Sequence, residues 1–246
     1  MRWVGTLSAV ALGAVRVILA ILSVLLFGAV AVATSGPLPH AASIPTKMPY
    51  YTPMPSVETE PPPVLDRLAR SDGRLAGMFS VPLEGADVPI DPDLLPGAPR
   101  DYRAGMHEGI DFPAPTGTPV LAAASGTVAR VDVSFLDWNR EQQDMALYEA
   151  LTLGYTPPAT LDRIRGRQVW IDHGKGVVTR YAHLSAVEPL VVGQKIDAGV
   201  LIGEVGSSGY PQGGPHLHFE VRVGDDFYGN GLSGDALVRA VARLFR

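Results

Sequence analysis

The sequence predicts a mainly β domain, interrupted by a helical insertion and preceded by an apolar N-terminal segment and a proline-rich linker. Three observations lead there. From about Gly77 onward, short β-branched runs alternate with Gly- and Pro-containing turns. Residues 137–165 break that rhythm with helix-like spacing. The first 33 residues are almost free of charge, and prolines crowd the stretch after them.

Between Trp3 and Ala33 the only charged residue is Arg16, and Val17–Ala33 is apolar except for Ser23. That run would make about 25 Å of helix, near the lower limit for crossing a bilayer. Arg2 and Arg16 precede it and the next basic residue is Lys47, so the remainder of the chain is expected outside the cytoplasmic membrane. Residues 1–33 therefore read as a transmembrane anchor; the alternative is a signal segment cleaved after Ala31-Val32-Ala33. Either way the rest is exported. Residues 34–76 read as an extracytoplasmic linker, with nine of the 22 prolines between Thr34 and Pro63. Such a segment cannot bury enough surface to fold, and it can reach on the order of 100 Å.

Residues 77–232 read as the folded domain, with strands expected at Pro119–Ala123, Gly126–Val133, Gln168–His173, Gly176–His183, Leu201–Val205 and His216–Val223. In the insertion (about 136–165), Asp137 is placed to cap a helix and Gly154 to end it. Trp138, Met145, Tyr148 and Leu151 recur at helical spacing, and a second short amphipathic piece runs to Arg165. The insertion reads either as a packed surface elaboration or as a lid over a groove. Residues 233–246 are expected to form a terminal helix with Leu237, Val241 and Leu244 on one side.

With no cysteine, the chain excludes disulfides, thiolate metal sites and a cysteine nucleophile. A net charge of −5 gives no sign of a nucleic-acid partner. Any metal must be held by His, Asp or Glu. In Gly214–Arg222 (GPHLHFEVR) two of the six histidines stand two residues apart on a strand. His216, His218, Glu220 and Arg222 share one face there, and Leu217, Phe219 and Val221 share the other. The apolar set suits a core, which leaves the histidines facing a metal site or solvent. His107 opens HEGIDF, with Asp111 four residues on; Gly109 and the following prolines argue for a loop entering a strand rather than a helix. Two imidazoles, one carboxylate and an open position make a catalytic zinc site.

The motifs HEGIDF, GTPVLAAASGTV, IDHGKGVVTRYAHLS, VGQKIDAGVLIGEVGSSG and GPHLHFEVR occur in this order. In this the chain resembles the lysostaphin/LytM-type zinc endopeptidases, over roughly Phe79–Val223. The resemblance implies a small antiparallel β-sheet or barrel-sandwich-like peptidase domain that cuts peptide bonds of bacterial cell-wall peptidoglycan, in stem peptides, cross-links or bridges. It implies one zinc ion held by His107, Asp111 and His218. His216 would be the general base, alone or shared with His183, and His183 would orient a water or steady the oxyanion. Which of the two is the principal base stays open.

The chain departs from the family pattern in lacking its glycine-arginine turn before His107 and in carrying the insertion. Tyr102 or Arg103 is a candidate for substrate contact and His173 for a structural role; Glu108 reads as a group supporting the metal site or, preferred, an exposed loop acid, and His40 falls in the linker. Two rival readings exist. A catalytically silent wall-binding or amidase-activating relative would have lost ligands that this chain keeps. A cytoplasmic carrier domain would need neither the ligand set nor an export segment.

Overall fold

A computed structural model describes residues 73–246. The expected anchor at 1–33, most of the linker and His40 lie outside the described residues. Among those described, no helix is long and apolar enough to cross a membrane. The strands, in chain order, are β1 (Pro99–Arg100), β2 (Gly105–Met106), β3 (Ile110–Pro113), β4 (Pro119–Leu121), β5 (Gly126–Val131), β6 (Val169–Asp172), β7 (Val177–Ala182), β8 (Ala186–Val187), β9 (Lys195–Ile196), β10 (Leu201–Glu204), β11 (His216–Val223) and β12 (Asp226–Phe227). The helices are α1 (Arg140–Leu153), α2 (Pro158–Arg165) and α3 (Gly234–Leu244). Every strand pairing among the described residues is antiparallel. The expected strands are present, with ends within two residues of those read from the sequence.

The larger sheet runs β12-β11-β7-β6-β5-β9; β3 pairs with His216–Phe219 of β11, on the flank where β12 pairs with Arg222 and Val223. A second, three-stranded sheet runs β4-β10-β8, its strands interleaved in the chain with those of the first. Alternation along β11 buries Leu217, Phe219 and Val221 in the hydrophobic core with Val128, Ile171 and Tyr181. The amphipathic α3 closes that core with Leu237, Ala240, Val241 and Leu244. Phe245, just beyond it, meets Phe112 edge-on at 6.1 Å.

The insertion is helical, but its sequence reading needs two corrections. Asn139, not Asp137, caps α1: its side chain accepts from the Gln142 amide at 2.9 Å, and the Gln142 side chain accepts from the Asn139 amide at 3.0 Å. This reciprocal pair satisfies two otherwise orphan donors. The Asp137 carboxylate instead accepts from the Gly209 amide at 2.5 Å, across the domain. Nor do Met145, Tyr148 and Leu151 form the packed face; they are exposed, while Gln143 and Ala150 are buried. Gln143 and Gln212 exchange side-chain hydrogen bonds at 3.1 and 2.7 Å, so polar pairing rather than an apolar stripe holds this helix.

Helix α2 covers the second face of the large sheet. Register places Arg130, Trp170, Arg180 and Glu220 in one row across β5, β6, β7 and β11. Arg130 and Arg180 both lie over the Trp170 ring, at 4.9 and 3.9 Å. Asp162 of α2 binds Arg130 at 2.6 and 3.0 Å. The face that a strand pattern alone leaves polar is therefore roofed by the insertion.

Candidate metal centre and catalytic cleft

His218 sits directly opposite Asp111 in the β11–β3 ladder and opposite Ala182 in the β11–β7 ladder. Cross-strand neighbours in such a ladder lie about 5 Å apart at Cβ, so the register itself brings imidazole and carboxylate together. His107 arrives from the turn between β2 and β3, its backbone paired with Ala98 and Gly97 at 2.8 Å each. The turn must pass tightly over β11. A Cβ on Gly109 would lie 2.7 Å from the Phe219 carbonyl and 2.9 Å from the His218 ring, so glycine is required there.

The result is a buried triangle. His107 Nε2 lies 2.9 Å from Asp111 Oδ1 and 3.0 Å from His218 Nδ1, and His218 Nδ1 lies 2.8 Å from the same oxygen. The outer partners define the protons. His107 Nδ1 faces the Leu95 carbonyl at 2.9 Å, and His218 Nε2 faces Glu220 Oε1 at 3.1 Å, so each of these nitrogens donates. With neutral rings, the three inward atoms are then all lone-pair bearers, and a cation is what such a cluster lacks. A tetrahedral zinc ion would space its ligand atoms by about 3.3 Å. The donor set therefore fits zinc with only slight expansion.

Electrostatics agree with that deficit. Burial disfavours the charged form of His218, but hydrogen bonds to Asp111 and Glu220 outweigh it and hold the imidazole up at about 9. Burial likewise opposes ionised Asp111, yet the two histidines keep its carboxyl well below the usual range. Without a metal, a proton supplies the positive charge. His107, where burial is the largest influence, is held below its ordinary value.

His216 and His183 lie beside the triangle with ring centroids 4.7 Å apart. His216 Nδ1 donates to the Gly214 carbonyl at 2.9 Å, and His183 Nδ1 donates to the Ser208 carbonyl at 2.8 Å. Each neutral ring thus keeps Nε2 as a bare acceptor. His216 Nε2 comes within 3.7 Å of Asp111 Oδ1. Burial and then the two neighbouring imidazoles push His183 down to about 3, so it is neutral near pH 7. All five predicted site residues line one cleft of about 270 Å³. His173 does not; it bonds Ser125 and Thr179 away from this cleft.

Several neighbours had no role in the sequence reading. Glu220, fully buried, anchors His218 and also accepts from Arg165 Nε at 2.5 Å. Its place on the histidine face was visible; its partner in the insertion was not. Arg100 reaches Asp111 Oδ2 at 3.3 Å, and Tyr210 stacks on Tyr102 at 4.7 Å. Tyr102 and Arg103 do line the cleft. Glu108 is not an exposed acid: its side chain is 13% exposed and its carboxylate is bound to Arg103 at 2.9 Å. The tie arises because Arg103 is itself buried and needs a counter-ion.

A family model, Peptidase family M23, matches residues 149–230, the stretch that carries His183, His216 and His218. Over this stretch the chain is similar to peptidase family M23. Among curated relatives, the DD-carboxypeptidase/endopeptidase Mpg of Neisseria meningitidis is 36% identical over 118 residues, covering 48% of this chain and 20% of the relative. Peptidoglycan DD-endopeptidase ShyA of Vibrio cholerae is 34% identical over 125 residues, covering 51% and 22%. The chain thus spans about a fifth of the length of these relatives. A crystallised zinc-containing peptidase from Vibrio cholerae aligns at 24% identity and a TM-score of 0.42, covering 62% of this chain and 39% of that one.

Proposed function

We propose that this domain is a zinc-dependent endopeptidase that hydrolyses peptide bonds of bacterial cell-wall peptidoglycan. The observation that carries the reading is the buried triangle of His107 Nε2, Asp111 Oδ1 and His218 Nδ1, all within 3.0 Å of one another, beside the His216 and His183 imidazoles in one cleft. His107, Asp111 and His218 would hold the zinc ion. When bound, zinc supplies Lewis-acid polarisation of a scissile carbonyl and activation of water. His216 Nε2, held as an acceptor by the Gly214 carbonyl, takes a proton at that atom and returns it to the leaving amine. His183 in its neutral tautomer also accepts at Nε2, which suits it to orient a water and not to donate to an oxyanion. Glu220 holds the His218 ring, and Leu161 and Ile164 of α2 wall the cleft against bulk water. The names of the relatives, a DD-carboxypeptidase/endopeptidase and a peptidoglycan DD-endopeptidase, support cross-link peptides as substrate.

The site of action we propose is outside the cytoplasmic membrane, with residues 1–33 as anchor or signal segment and the proline-rich stretch as spacer; the apolar run and basic flank in the sequence support this. The test is mass spectrometry of muropeptides released from isolated wall by the purified full-length protein, with and without chelator, beside its metal content. Chelator-sensitive release of cross-link fragments is expected. Full zinc loading with no cleavage would favour a wall-binding role instead.

A further inference from the structure

The cleft holds three arginines, and they differ in how their guanidinium groups are committed. Arg100 spends its terminal nitrogens on the Pro99 and Asp93 carbonyls and on Asp111. Arg103 spends its own on Thr156, Met106 and Glu108. Arg165 is bound through Nε alone, to Glu220. Its two terminal nitrogens have no hydrogen-bond partner among the described residues, although the residue is only 7% exposed. These nitrogens are not wholly enclosed, and Arg165 is one of the residues that line the cleft.

A buried guanidinium edge with two unpaired N–H groups costs free energy unless something accepts from it. Its natural acceptor is a carboxylate, which matches the planar fork with two parallel bonds. The backbone places this fork beside the chemistry: the Arg165 carbonyl accepts from the His183 amide at 2.8 Å. Two glycines fix that approach. A Cβ on Gly166 would fall 2.2 Å from the Ser208 carbonyl, and one on Gly209 would fall 2.3 Å from the Ile164 carbonyl. The end of α2 is thereby locked onto the loop that holds His183.

We propose that Arg165 is the anion-recognising residue of the cleft, selecting peptides with a free carboxylate flanking the scissile bond. The inference rests on the endopeptidase reading and deepens it. It also gives the insertion a role, because α2 delivers the specificity residue.

The test uses the full-length protein and two synthetic cross-link peptides, identical except that the flanking carboxylate is free in one and a carboxamide in the other. Affinity of each peptide is measured by calorimetry on zinc-free protein, and kcat/KM on zinc-loaded protein. A charge-assisted bidentate contact predicts about a ten- to hundredfold preference for the carboxylate peptide in both measurements. R165Q should collapse the ratio to about one, and R165K should keep part of it as a point charge. Because Arg165 also holds Glu220, a uniform loss on both peptides is expected in either variant, and the ratio cancels it. A wild-type ratio near one, or a ratio that survives R165Q, overturns the proposal. Should R165Q not fold, an undiminished ratio in R165K does the same. If neither peptide is cut, the hydrolase reading fails, while the binding ratio on zinc-free protein still decides the role of Arg165.

Discussion

Replacing Glu220 by glutamine should weaken the metal site without removing a ligand. Oε1 accepts from His218 Nε2 at 3.1 Å and from Arg165 at 2.5 Å, and Oε2 faces Arg180 and Arg222 at 3.4 and 3.5 Å. An amide has one oxygen for these two sets of donors, so its NH2 must meet either His218 and Arg165 or the other two arginines. Breaking one partner of a buried ion pair costs about 3–5 kcal/mol. Arg180 and Arg222 are 18% and 15% exposed at the side chain and can turn toward water. The expected loss is therefore near the low end, about 3 kcal/mol, read as a reduced midpoint in urea unfolding of metal-free protein. Freed from its carboxylate, the His218 ring is less well oriented and less basic. Zinc affinity, measured by competition against a chromophoric chelator, should fall about 10- to 100-fold. Zinc binding within about twofold of wild type would refute the argument that Glu220 positions this ligand.

His107→Ala, Asp111→Ala and His218→Ala should each lose zinc by elemental analysis, while His216→Ala keeps zinc and loses turnover; full activity in His216→Ala would shift the base to His183. Burial depresses the pKa of His173, which donates to the Ser125 carbonyl through Nδ1 and meets Thr179 at 2.9 Å through Nε2. The folded state then binds fewer protons than the unfolded one, so this contribution is complete above about pH 6.5 and is lost as pH falls below it. Unfolding free energies at pH 7.5 and 5.5 should show a shallower acid loss in His173→Gln than in wild type. Tyr181→Phe leaves the buried Ala123 amide, 2.8 Å from the phenol oxygen, without an acceptor and should cost about 1–3 kcal/mol; an unchanged urea midpoint would contradict this.

The β scaffold and the ligand set were legible because they rest on local rules. A period of two along His216–Val223 decides which side chains share a face, and Gly109 with the following prolines excludes a helix between His107 and Asp111. What stayed hidden depends on pairings distant in the chain. Nothing in TLDRIRG signals that Arg165 will meet a glutamate 55 residues later. The helix of the insertion was readable from its breaker glycine and its spacing, but its packed face was not. That face uses Gln143 and Ala150, and an amphipathic pattern search rewards the exposed Met145, Tyr148 and Leu151 instead. Glu108 was misread for the same reason: its environment is set by Arg103 and, behind that, by Thr156 of the insertion.

These misreadings share one cause, and it bears on what the insertion does. Four separate ties bind it to the rest of the domain, in or near the cleft: Asp137 to Gly209, Gln143 to Gln212, Thr156 to Arg103, and Arg165 to Glu220. A lid that opens freely would have to give up all four, and the last would strand a buried carboxylate and its arginine together. The arrangement suits a fixed wall better than a gate. Deleting residues 137–165 should accordingly lower zinc affinity and activity toward short peptides, since it removes Arg165 from Glu220 and exposes the Arg130–Trp170–Arg180 row to water. A deletion variant that keeps its zinc and cuts short peptides faster would instead establish the insertion as a cover.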